Sequence, residues 1–567
     1  MKKLVGLFLI SYLLVGCGET TKKTTPETNV KPKYEAAVST VSKEATQVGV
    51  DILNQGGNAF DAAIAVHFAL AVTYPEAGNL GGGGFTVYHD EFKESGCIDY
   101  REKAPLKATE NMFLDEKGNV IKGLSLYGAL AGGVPGSVDG MWEIHQSKGS
   151  MPWKDLLQPA IKLAKNGFAI SSLEAEKLNN YQTDFVKYNS DTIPFVRNWK
   201  EGDTLIQKAL GRTIELIADS GASVFYTGLV GKLFATNVQE NGGIITRDDL
   251  IKYSAAFREP VKGNYRTYEI LSMPPSSSGG IALIQLLNGA EKFPIRGWGH
   301  NSPKTLHIYT ELMRRVYADR TTFLGDPEFY PVPTEKLVDK NYLDERFIEI
   351  SDDKKTNSSE VKSGKADRIE SYETTHYSIL DNKGNVVSTT TTLNGNYGSK
   401  VWLPAVGFFL NNEMDDFSAK AGVPNQFGLI GGKANSIEPE KRMLSSMTPT
   451  IVLKEGEPKM IVGTPGGSTI ITSVFQTILN VLEFDMDLQA AVDAPKMHHQ
   501  WQPDLIILEK NKFDENTISE LKEKGHVIEF TDRLGIMNCI YIDENKKSQA
   551  VGDITRYTGF GSVIKNE

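Results

Sequence analysis

The chain has 567 residues, of which 40% are hydrophobic and 23% charged, a composition typical of globular proteins and not of disordered or fibrous ones. Its net charge of −10 disfavours binding to nucleic-acid phosphates, so we expect no nucleic-acid partner. Glycine is in excess, because 53 are present where an average usage of about 7% would give roughly 40. This surplus indicates tight turns, or backbone that approaches another group closely.

The N-terminal region carries an export signal. Two lysines precede a short apolar run at 4–15, which is too short to span a bilayer, so residues 1–16 are predicted to be a signal peptide. The following Cys17 completes a pattern that resembles the bacterial lipobox, in which the cysteine is lipidated. Residues 17–33 then form the lipidated cysteine and a polar, flexible tether. We expect a lipid-anchored protein of the bacterial cell envelope, on its periplasmic or extracellular face; the alternative is an ordinary signal peptide with an incidental cysteine.

The next region is rich in helix signals. Helical spacing of apolar residues predicts two helices between residues 44 and 73, the first ending at Gly56-Gly57 and the second capped by Asn58. Further helices are predicted around 154–166, 228–240 and 303–322. Residues 351–370 are polar and have almost nothing to bury, which predicts an exposed, mobile stretch. Cys97 and Cys539 do not form a disulfide framework, and we expect buried free thiols.

Paired strands follow the polar stretch. Residues 374–381 and 386–393 favour strands around a turn at 382–385. A second hairpin is predicted at 448–463, and it leads through a glycine turn into a helix at 469–482. Helices followed by paired strands predict an α+β sandwich in which helices cover packed sheets.

Threonine hydroxyls are dense at the end of the polar stretch, at Thr374, Thr375 and 389–392. A threonine hydroxyl is a weak nucleophile unless a base takes its proton. At a chain N-terminus its own α-amine, with a pKa of about 8, can act as that base. Such chemistry requires cleavage before Thr374. Taken alone, a run of threonines equally reflects β-propensity.

Motifs spread over the chain resemble those of γ-glutamyltranspeptidases. Similarity to the small subunit of that family lies in TTHYSILDNKGNVVSTTTTLN, LNNEMDDFSAKAGVPNQFGLIGGKAN, KRMLSSMTPTIV and GTPGGS. Similarity to its large subunit lies in QGGNAFDAAIA, GNLGGGGF, DYREKAP and MPPSSSGGI. The resemblance runs from about residue 34 to the C-terminus, in the family order.

The resemblance implies an α+β fold, a four-layer αββα N-terminal-nucleophile hydrolase sandwich made as one precursor. Self-cleavage between Glu373 and Thr374 would give a heterodimer of a large subunit, 34–373, and a small catalytic subunit, 374–567. The implied activity is transfer of a γ-glutamyl group from glutathione or similar compounds to water, an amino acid or a peptide. No metal or other cofactor is implied.

The resemblance also implies roles for individual residues. Thr374 would be the nucleophile, Thr392 would hydrogen-bond it, and the backbone N–H groups of Gly466 and Gly467 would hold the oxyanion. The donor's α-carboxylate would bind Arg101, Ser445 and Ser446, and its α-ammonium would bind Asn394, Glu413 and Asp416.

One geometric check is imperfect. A hairpin symmetric about Lys383-Gly384 pairs Thr374 with Leu393, so that bringing Thr374 to Thr392 requires a one-residue bulge or a different loop. We expect that irregularity. Phe427 lies in a lid-like loop where some relatives carry tyrosine, so a latch through that hydroxyl cannot form.

Two other functions remain open. One is an acylase of the same fold for glutaryl-type side chains such as those of cephalosporins. Asp416 argues against it, since a carboxylate there has no purpose unless the acyl group carries an ammonium. The other is a catalytically dead, lipid-anchored amino-acid binder, against which an intact Thr374 and Gly466-Gly467 argue.

Overall fold

The computed structural model describes residues 33–190, 192–361 and 374–566. Cys17 and Glu373 therefore lie outside the described residues. The strands in the described part are β1 (Ala36–Thr40), β2 (Gly83–His89), β3 (Ser95–Asp99), β4 (Phe168–Ala169), β5 (Thr204–Leu205), β6 (Ala256–Arg258), β7 (Val261–Tyr265), β8 (Tyr268–Ser272), β9 (Thr375–Leu380), β10 (Val386–Thr392), β11 (Trp402–Leu403), β12 (Phe408–Phe409), β13 (Thr450–Lys454), β14 (Glu457–Val462), β15 (Met497–His498), β16 (Ile506–Glu509), β17 (Ile528–Thr531), β18 (Asn538–Ile542), β19 (Ser548–Gly552) and β20 (Phe560–Ile564).

Helices make up the outer parts of the fold. They are α1 (Lys43–Asn54), α2 (Ala59–Thr73), α3 (Ser137–Lys148), α4 (Trp153–Asn166), α5 (Ser172–Asn180), α6 (Gln182–Tyr188), α7 (Lys208–Ser220), α8 (Ser223–Tyr226), α9 (Leu229–Glu240), α10 (Arg247–Lys252), α11 (Gly279–Ala290), α12 (Ile295–Trp298), α13 (Pro303–Phe323), α14 (Thr334–Leu337), α15 (Lys340–Phe347), α16 (Thr469–Leu482), α17 (Leu488–Asp493) and α18 (Glu515–Glu523). Short 3-10 helices span Ala129–Ala131, Glu413–Asp416 and Lys433–Asn435.

Two large sheets form the centre of the molecule. One has seven strands in the order β20-β1-β9-β10-β2-β3-β6, and the other has six in the order β19-β18-β14-β13-β8-β7. Strand residues alternate between faces. Ala37 and Leu380 accordingly join the core shared with the six-stranded sheet, whereas their neighbours Val38 and Ile379 join the core beneath the helices.

Helices cover the outer face of each sheet. Helices α1 and α2 contact β1, β9 and β10, while α11 contacts β7 and β8 and α17 contacts β18 and β19. Every residue of α2 is buried, as expected for a helix that is apolar on all sides. The predicted four-layer αββα arrangement is therefore confirmed.

Local signals in the sequence account for these elements well. Asn58 caps α2 in a capping box with Asp61, and Glu455 and Gly456 make the positive-φ turn of the second hairpin, with φ of 56° and 74°. The predicted helices around 154–166, 228–240, 303–322 and 469–482 correspond to α4, α9, α13 and α16. Cys97 and Cys539 are buried free thiols, as predicted.

The predicted subunit boundary at 373/374 does not separate the two large sheets. Each sheet contains strands from both sides of that boundary. In the seven-stranded sheet, β9 and β10 lie between β1 and β2, which come from the other side of that boundary. The six-stranded sheet likewise joins β7 and β8 to strands that follow the boundary. Hydrogen bonds of both sheets would therefore hold two subunits together after a cut at that point.

The hairpin of β9 and β10 corrects one expectation. Leu380 pairs with Val386 and Thr375 pairs with Thr391, with no register shift between them. The turn is thus centred on Lys383, and the same register places Thr374 opposite Thr392. Of the two expected possibilities, a bulge or a different loop, the different loop is correct, because residues 381–385 form a five-residue turn.

Residues 351–361 are mostly exposed, as predicted, but two buried residues anchor this part to the fold. Ser358 and Val361 are buried, and the Trp501 indole N–H donates to the carbonyl of each, at 3.0 and 3.1 Å. The backbone N–H of Ser358 donates to Asp504 at 3.0 Å. The rest of the predicted stretch lies outside the described residues. Backbone hydrogen bonds, together with the burial of Val361 in the core, therefore hold a segment that is otherwise polar.

The turn at 381–385 generates a stability prediction. The buried Asp381 carboxylate accepts from the N–H groups of Lys383, Gly384 and Asn385 at 2.9 to 3.0 Å, and from the N–H of Ala59 at the start of α2 at 3.0 Å. Asp381→Ala should lower the free energy of unfolding by about 3 kcal/mol, because several buried donors lose a charged acceptor. Urea denaturation of the purified protein measures this loss.

A matched control exists in the hairpin of β18 and β19. Asp543 accepts from Asn545 and Lys547 in the same pattern, at 2.8 and 2.9 Å, in a solvent-accessible turn. Asp543→Ala should cost under about 1 kcal/mol, since water replaces its hydrogen bonds. Equal losses for the two variants would contradict the importance of the buried Asp381 contacts.

Candidate active site

A pocket of about 290 Å³ lies where β9 begins and β10 ends. Thr374 directly precedes β9, two residues before His376 and four before Ser378. Ser378 donates its hydroxyl proton to the carbonyl of Asn538 in the six-stranded sheet, at 3.0 Å. Because side chains alternate along a strand, Thr374 faces the same side, between the two sheets. The register of the hairpin thus directs Thr374 into the pocket.

Thr374 and Thr392 meet across the end of the hairpin. Thr374 is 5% exposed, and its Oγ1 donates to Oγ1 of Thr392 at 3.5 Å. Oγ1 of Thr392 also accepts from the backbone N–H of Asn394 at 2.7 Å. Asn394 adopts a φ of 71°, which asparagine tolerates better than most residues. The predicted nucleophile and its predicted partner are therefore neighbours held by backbone structure.

Asn79 holds the end of β10, a role that the sequence interpretation missed. Its side-chain amide donates to the carbonyl of Thr392 at 2.8 Å and accepts from the N–H of Gly82 at 3.0 Å. A Cβ on Gly82 would lie 2.1 Å from the Thr392 carbonyl oxygen. Only glycine therefore allows the glycine-rich segment after Asn79 to approach the Thr392 backbone so closely.

Gly466 and Gly467 form a turn at the start of α16. Their φ angles of 142° and 52° are rarely adopted by residues with side chains. Within the part of the chain that the structure describes, neither N–H group donates to a protein acceptor. Gly467 lines the pocket, so its amide is available to a negatively charged oxygen there, as the predicted oxyanion role requires.

Arg101 lies in a cluster of acids, of which Glu102 and Glu413 are buried and Asp416 is 10% exposed. Its guanidinium pairs with Glu413 and Asp416 and lies 3.5 Å from Glu102. The side chain of Arg101 is 0% exposed. A lone charge in such a place would cost several kcal/mol, so each group depends on the others. The predicted carboxylate-binding arginine and two predicted ammonium-binding acids thus face one another.

Crowding of three carboxyl groups around one arginine changes their protonation. Burial, and next the charge of Glu102, raises the pKa of Glu413 well above its ordinary value. Burial also raises the pKa of Asp416, against the lowering effect of Arg101. The pKa of Glu102 is raised to about 7 by burial, again opposed by Arg101. A raised pKa means that these acids hold protons to higher pH than exposed carboxyl groups do.

The short helix that carries the acids is fixed on both sides. Asn411 accepts from the N–H of Glu413 at 3.0 Å and donates to the carbonyls of Gly81 and Gly133 at 2.7 and 2.8 Å. Met414 and Phe417 are buried in a small apolar cluster of their own. These contacts orient Glu413 and Asp416 toward Arg101.

Ser445 and Ser446 are held by the three-serine segment that precedes α11. The backbone N–H of Ser278 donates to the carbonyl of Ser445 at 2.8 Å, and the hydroxyl of Ser278 donates to that carbonyl at 2.6 Å. Arg320, from α13, donates to the hydroxyl of Ser446 at 3.1 Å. The motif MPPSSSGGI therefore has a positional role that its sequence did not reveal.

Phe427 covers the glycine turn. Its ring is so near that a Cβ on Gly467 would lie 2.4 Å from the Phe427 Cδ1 atom. The carbonyl of Phe427 accepts from the Gln500 amide at 3.2 Å. The loop thus covers the glycine turn by ring packing, and Phe427 has no hydroxyl with which to form a latch.

Nine of the predicted site residues line the one pocket. They are Arg101, Thr374, Thr392, Asn394, Glu413, Asp416, Ser445, Ser446 and Gly467. Gly466 precedes Gly467 in the sequence but does not line the pocket. Arg320 also lines it and was not predicted, because a lone arginine in a long helix gives no signal. In the described ranges, no group of three or more His, Cys, Asp or Glu side chains is arranged to hold a metal ion.

Comparison with known proteins supports this geometry. The family model of gamma-glutamyltranspeptidase matches residues 45–562. The chain belongs to the γ-glutamyltranspeptidase family. It is 43% identical over 525 residues to the glutathione hydrolase proenzyme of Escherichia coli strain K12, covering 92% of this chain and 90% of that relative. The predicted family and activity class, a γ-glutamyl hydrolase or transpeptidase, are confirmed.

Solved structures and acylases complete the comparison. The γ-glutamyltranspeptidase of Helicobacter pylori matches with a TM-score of 0.55 and 46% identity, covering 57% of this chain and 94% of that one. The acylase ACY 1 proenzyme of Pseudomonas sp. strain SE83 is 34% identical and covers 88% of each chain. Family membership thus spans both γ-glutamyltranspeptidases and acylases, and the roles of single residues remain predictions.

The acid cluster generates a prediction about pH. If Glu413 binds the donor's ammonium, it must be ionised, so KM for γ-glutamyl-p-nitroanilide should rise as the pH falls. Glu102→Gln removes a charge that raises the pKa of Glu413. The rise in KM should therefore move to lower pH in this variant. Steady-state kinetics from about pH 5 to about pH 8 measure the shift.

Glu110→Gln is the control for this experiment, since Glu110 is an exposed acid nearby in the chain. Its pH profile should match that of the unaltered protein. An unchanged profile for Glu102→Gln would show that Glu102 does not influence the protonation of the donor site.

Proposed function

We propose that this protein hydrolyses glutathione and related γ-glutamyl compounds and transfers the γ-glutamyl group to amino acids or peptides. The observation that carries the proposal is a single pocket in which Thr374 lies with the buried Arg101 and the two acids that pair with it. A γ-glutamyl group has a reactive carbonyl at one end and a carboxylate and an ammonium at the other. The pocket offers a counterpart for each of these groups.

The nucleophile in the proposed reaction is the hydroxyl of Thr374. Self-cleavage of the bond between Glu373 and Thr374 frees the α-amine of Thr374, which then takes the proton from Oγ1 as the oxygen attacks the γ-carbonyl. The tetrahedral oxyanion is held by backbone N–H groups of the glycine turn. Loss of one such donor typically costs about 3 kcal/mol of transition-state stabilisation.

The second half of the reaction releases the product. The protonated α-amine gives its proton to the leaving nitrogen as the amide C–N bond breaks, which leaves an ester on Thr374. Water or an acceptor amine then attacks this ester and regenerates the hydroxyl. Thr392 keeps Oγ1 of Thr374 oriented through the contact at 3.5 Å.

The acid pair favours γ-glutamyl compounds over glutaryl amides. A glutaryl group lacks the α-ammonium, and so it gives Glu413 and Asp416 no cation. Both acids line the pocket and share Arg101, so a glutaryl carboxylate would compete with them for that cation, and a buried carboxylate that loses its partner costs several kcal/mol. The acylase alternative therefore has less support, although an acylase is among the relatives.

We also propose that the protein is lipid-anchored at the cell envelope through Cys17, as a heterodimer of residues 34–373 and 374–567. The proposal rests on the apolar run 4–15 and the lipobox-like pattern that ends at Cys17. No helix among the described residues has the length and apolar character needed to cross a bilayer.

Replacing the proposed nucleophile tests the function directly. Thr374→Ala should run as one band on a denaturing gel and should release no p-nitroaniline from γ-glutamyl-p-nitroanilide, because cleavage and catalysis use the same hydroxyl. The unaltered protein should give two bands, the smaller of which begins Thr374-Thr375-His376. N-terminal sequencing of that band checks the cleavage point.

Two outcomes would contradict this proposal. Cleavage before residue 374 in the alanine variant would remove Thr374 as the nucleophile. A cleaved, unaltered protein that prefers glutaryl-p-nitroanilide to the γ-glutamyl substrate would favour the acylase alternative, whereas an uncleaved protein that binds glutamate would favour the binder.

The anchor has its own test. Expressed with its signal, the protein should partition into the detergent phase of a Triton X-114 separation and incorporate labelled palmitate. Cys17→Ser should move it to the aqueous phase without changing its activity, because residue 17 precedes every residue of the proposed site. Aqueous partitioning of the unaltered protein would support an ordinary signal peptide.

A further inference from the structure

Arg320 is a buried arginine of the pocket for which the sequence suggested no role. It lies in the last turn of α13, is 4% exposed and lines the pocket beside Ser446. Its Nε donates to the hydroxyl of Ser278 at 3.0 Å, and its Nη2 donates to the hydroxyl of Ser446 at 3.1 Å. Both of these partners are neutral.

The other buried arginines differ from Arg320 in having acidic partners. Arg101, Arg314, Arg315, Arg442 and Arg556 each form ion pairs with one or more carboxylates. Among the residues that the structure describes, no carboxylate lies within 4.0 Å of the Arg320 guanidinium nitrogens. The charge of Asp416 acts on Arg320 from beyond that distance, and the end of α13 adds a partial negative charge. A buried cation of this kind needs a counter-charge, and the pocket is where one can enter.

The chemistry of the guanidinium fixes the direction of the Ser446 hydroxyl. An arginine side chain has five N–H donors and no acceptor, so the oxygen of Ser446 must accept. The hydroxyl proton of Ser446 is then free to be donated elsewhere, and no described protein atom takes it. Ser278 behaves in the same way, but its proton goes to the carbonyl of Ser445 at 2.6 Å.

Arg101 is already engaged in the absence of substrate. Its two terminal nitrogens pair with Glu413 and Asp416, and its Nε donates to the carbonyl of Met443 at 3.3 Å. A substrate carboxylate near Arg101 therefore meets a cation whose charge two acids share. Arg320 is the second positive charge of the pocket, and burial lowers its pKa to about 10, so it remains charged at neutral pH.

We propose that Arg320 is a positioning residue for the donor's α-carboxylate. Arg320 polarises the Ser446 hydroxyl toward that carboxylate and supplies a positive charge in addition to that of Arg101. This inference rests on the proposed γ-glutamyl activity and deepens it. Arg320 acts through Ser446 and distinguishes donors that carry an α-carboxylate from those that do not.

The test compares two substrates that differ only in that carboxylate. γ-Glutamyl-p-nitroanilide carries it, and 4-aminobutanoyl-p-nitroanilide lacks it but keeps the amine and the reactive amide. Arg320→Gln should raise KM for the first substrate about tenfold or more, as expected for loss of a charge-assisted contact. It should leave kcat within about threefold and change KM for the second substrate by less than about twofold.

A double variant shows whether Arg320 acts through Ser446. The effects of Arg320→Gln and Ser446→Ala on KM should be strongly non-additive, so that the double variant resembles the more impaired single one. Arg320→Lys should recover part of the lost preference, because it restores the charge without the fork of donors. If Arg320→Gln does not fold, the same kinetic comparison can be made with Arg320→Lys.

Arg315→Gln is the matched control, because Arg315 is a buried arginine on the same helix that pairs with Glu311 outside the pocket. It should leave the ratio of the two KM values unchanged, even if the protein becomes less stable. Equal effects of Arg320→Gln on both substrates, or additive effects with Ser446→Ala, would overturn the inference. Failure of the unaltered protein to cleave γ-glutamyl-p-nitroanilide would instead overturn the proposed function.

Discussion

The ion cluster of Arg101 with Glu413 and Asp416 is the interaction on which the rest of the site depends. Arg101 follows β3, whereas the acids belong to a short helix more than 300 residues later in the chain. Neither sign of charge can be buried alone without a cost of several kcal/mol. The pocket therefore forms only when both parts of the chain are folded together, which links the assembly of the site to the shared sheets.

The sheets and the glycine segments set the distances within that cluster. Strands β3 and β10 lie on either side of β2 in one sheet. The spacing of hydrogen-bonded strands therefore sets the distance between the end of β3, which leads to Arg101, and the end of β10, which carries Thr392. The close approach of Gly82 to Thr392 keeps this corner compact. Part of the glycine surplus in the composition thus serves backbone contact beside the nucleophile, and Gly467 leaves room for the Phe427 ring.

Much of the fold could be predicted from local signals in the sequence. Contacts between distant segments could not be predicted. The Asn58 cap and the Glu455-Gly456 turn act on neighbouring residues, and both elements were predicted well. The centre of the hairpin turn at 381–385 was predicted half a residue too late in the chain. This error was enough to make a bulge or a different loop seem necessary. Residues 351–361 looked mobile because composition cannot reveal Trp501 and Asp504, which hold them. The family motifs located nine pocket residues, whereas the contacts of Asn79 with Thr392 and of Arg320 with Ser446 join segments far apart in sequence.

The charge balance of the pocket explains why an amino-acid-like donor suits it. Without substrate, Arg101 neutralises acids that are crowded enough to hold protons. A group with both a carboxylate and an ammonium can enter with each charge paired, because it brings one partner for the arginines and another for the acids. A group with a carboxylate alone would compete with Glu413 and Asp416 for Arg101, and at least one buried acid would then have to take up a proton. Discrimination between these groups therefore follows from the charges of the pocket's own side chains, and it should weaken as the acids become protonated.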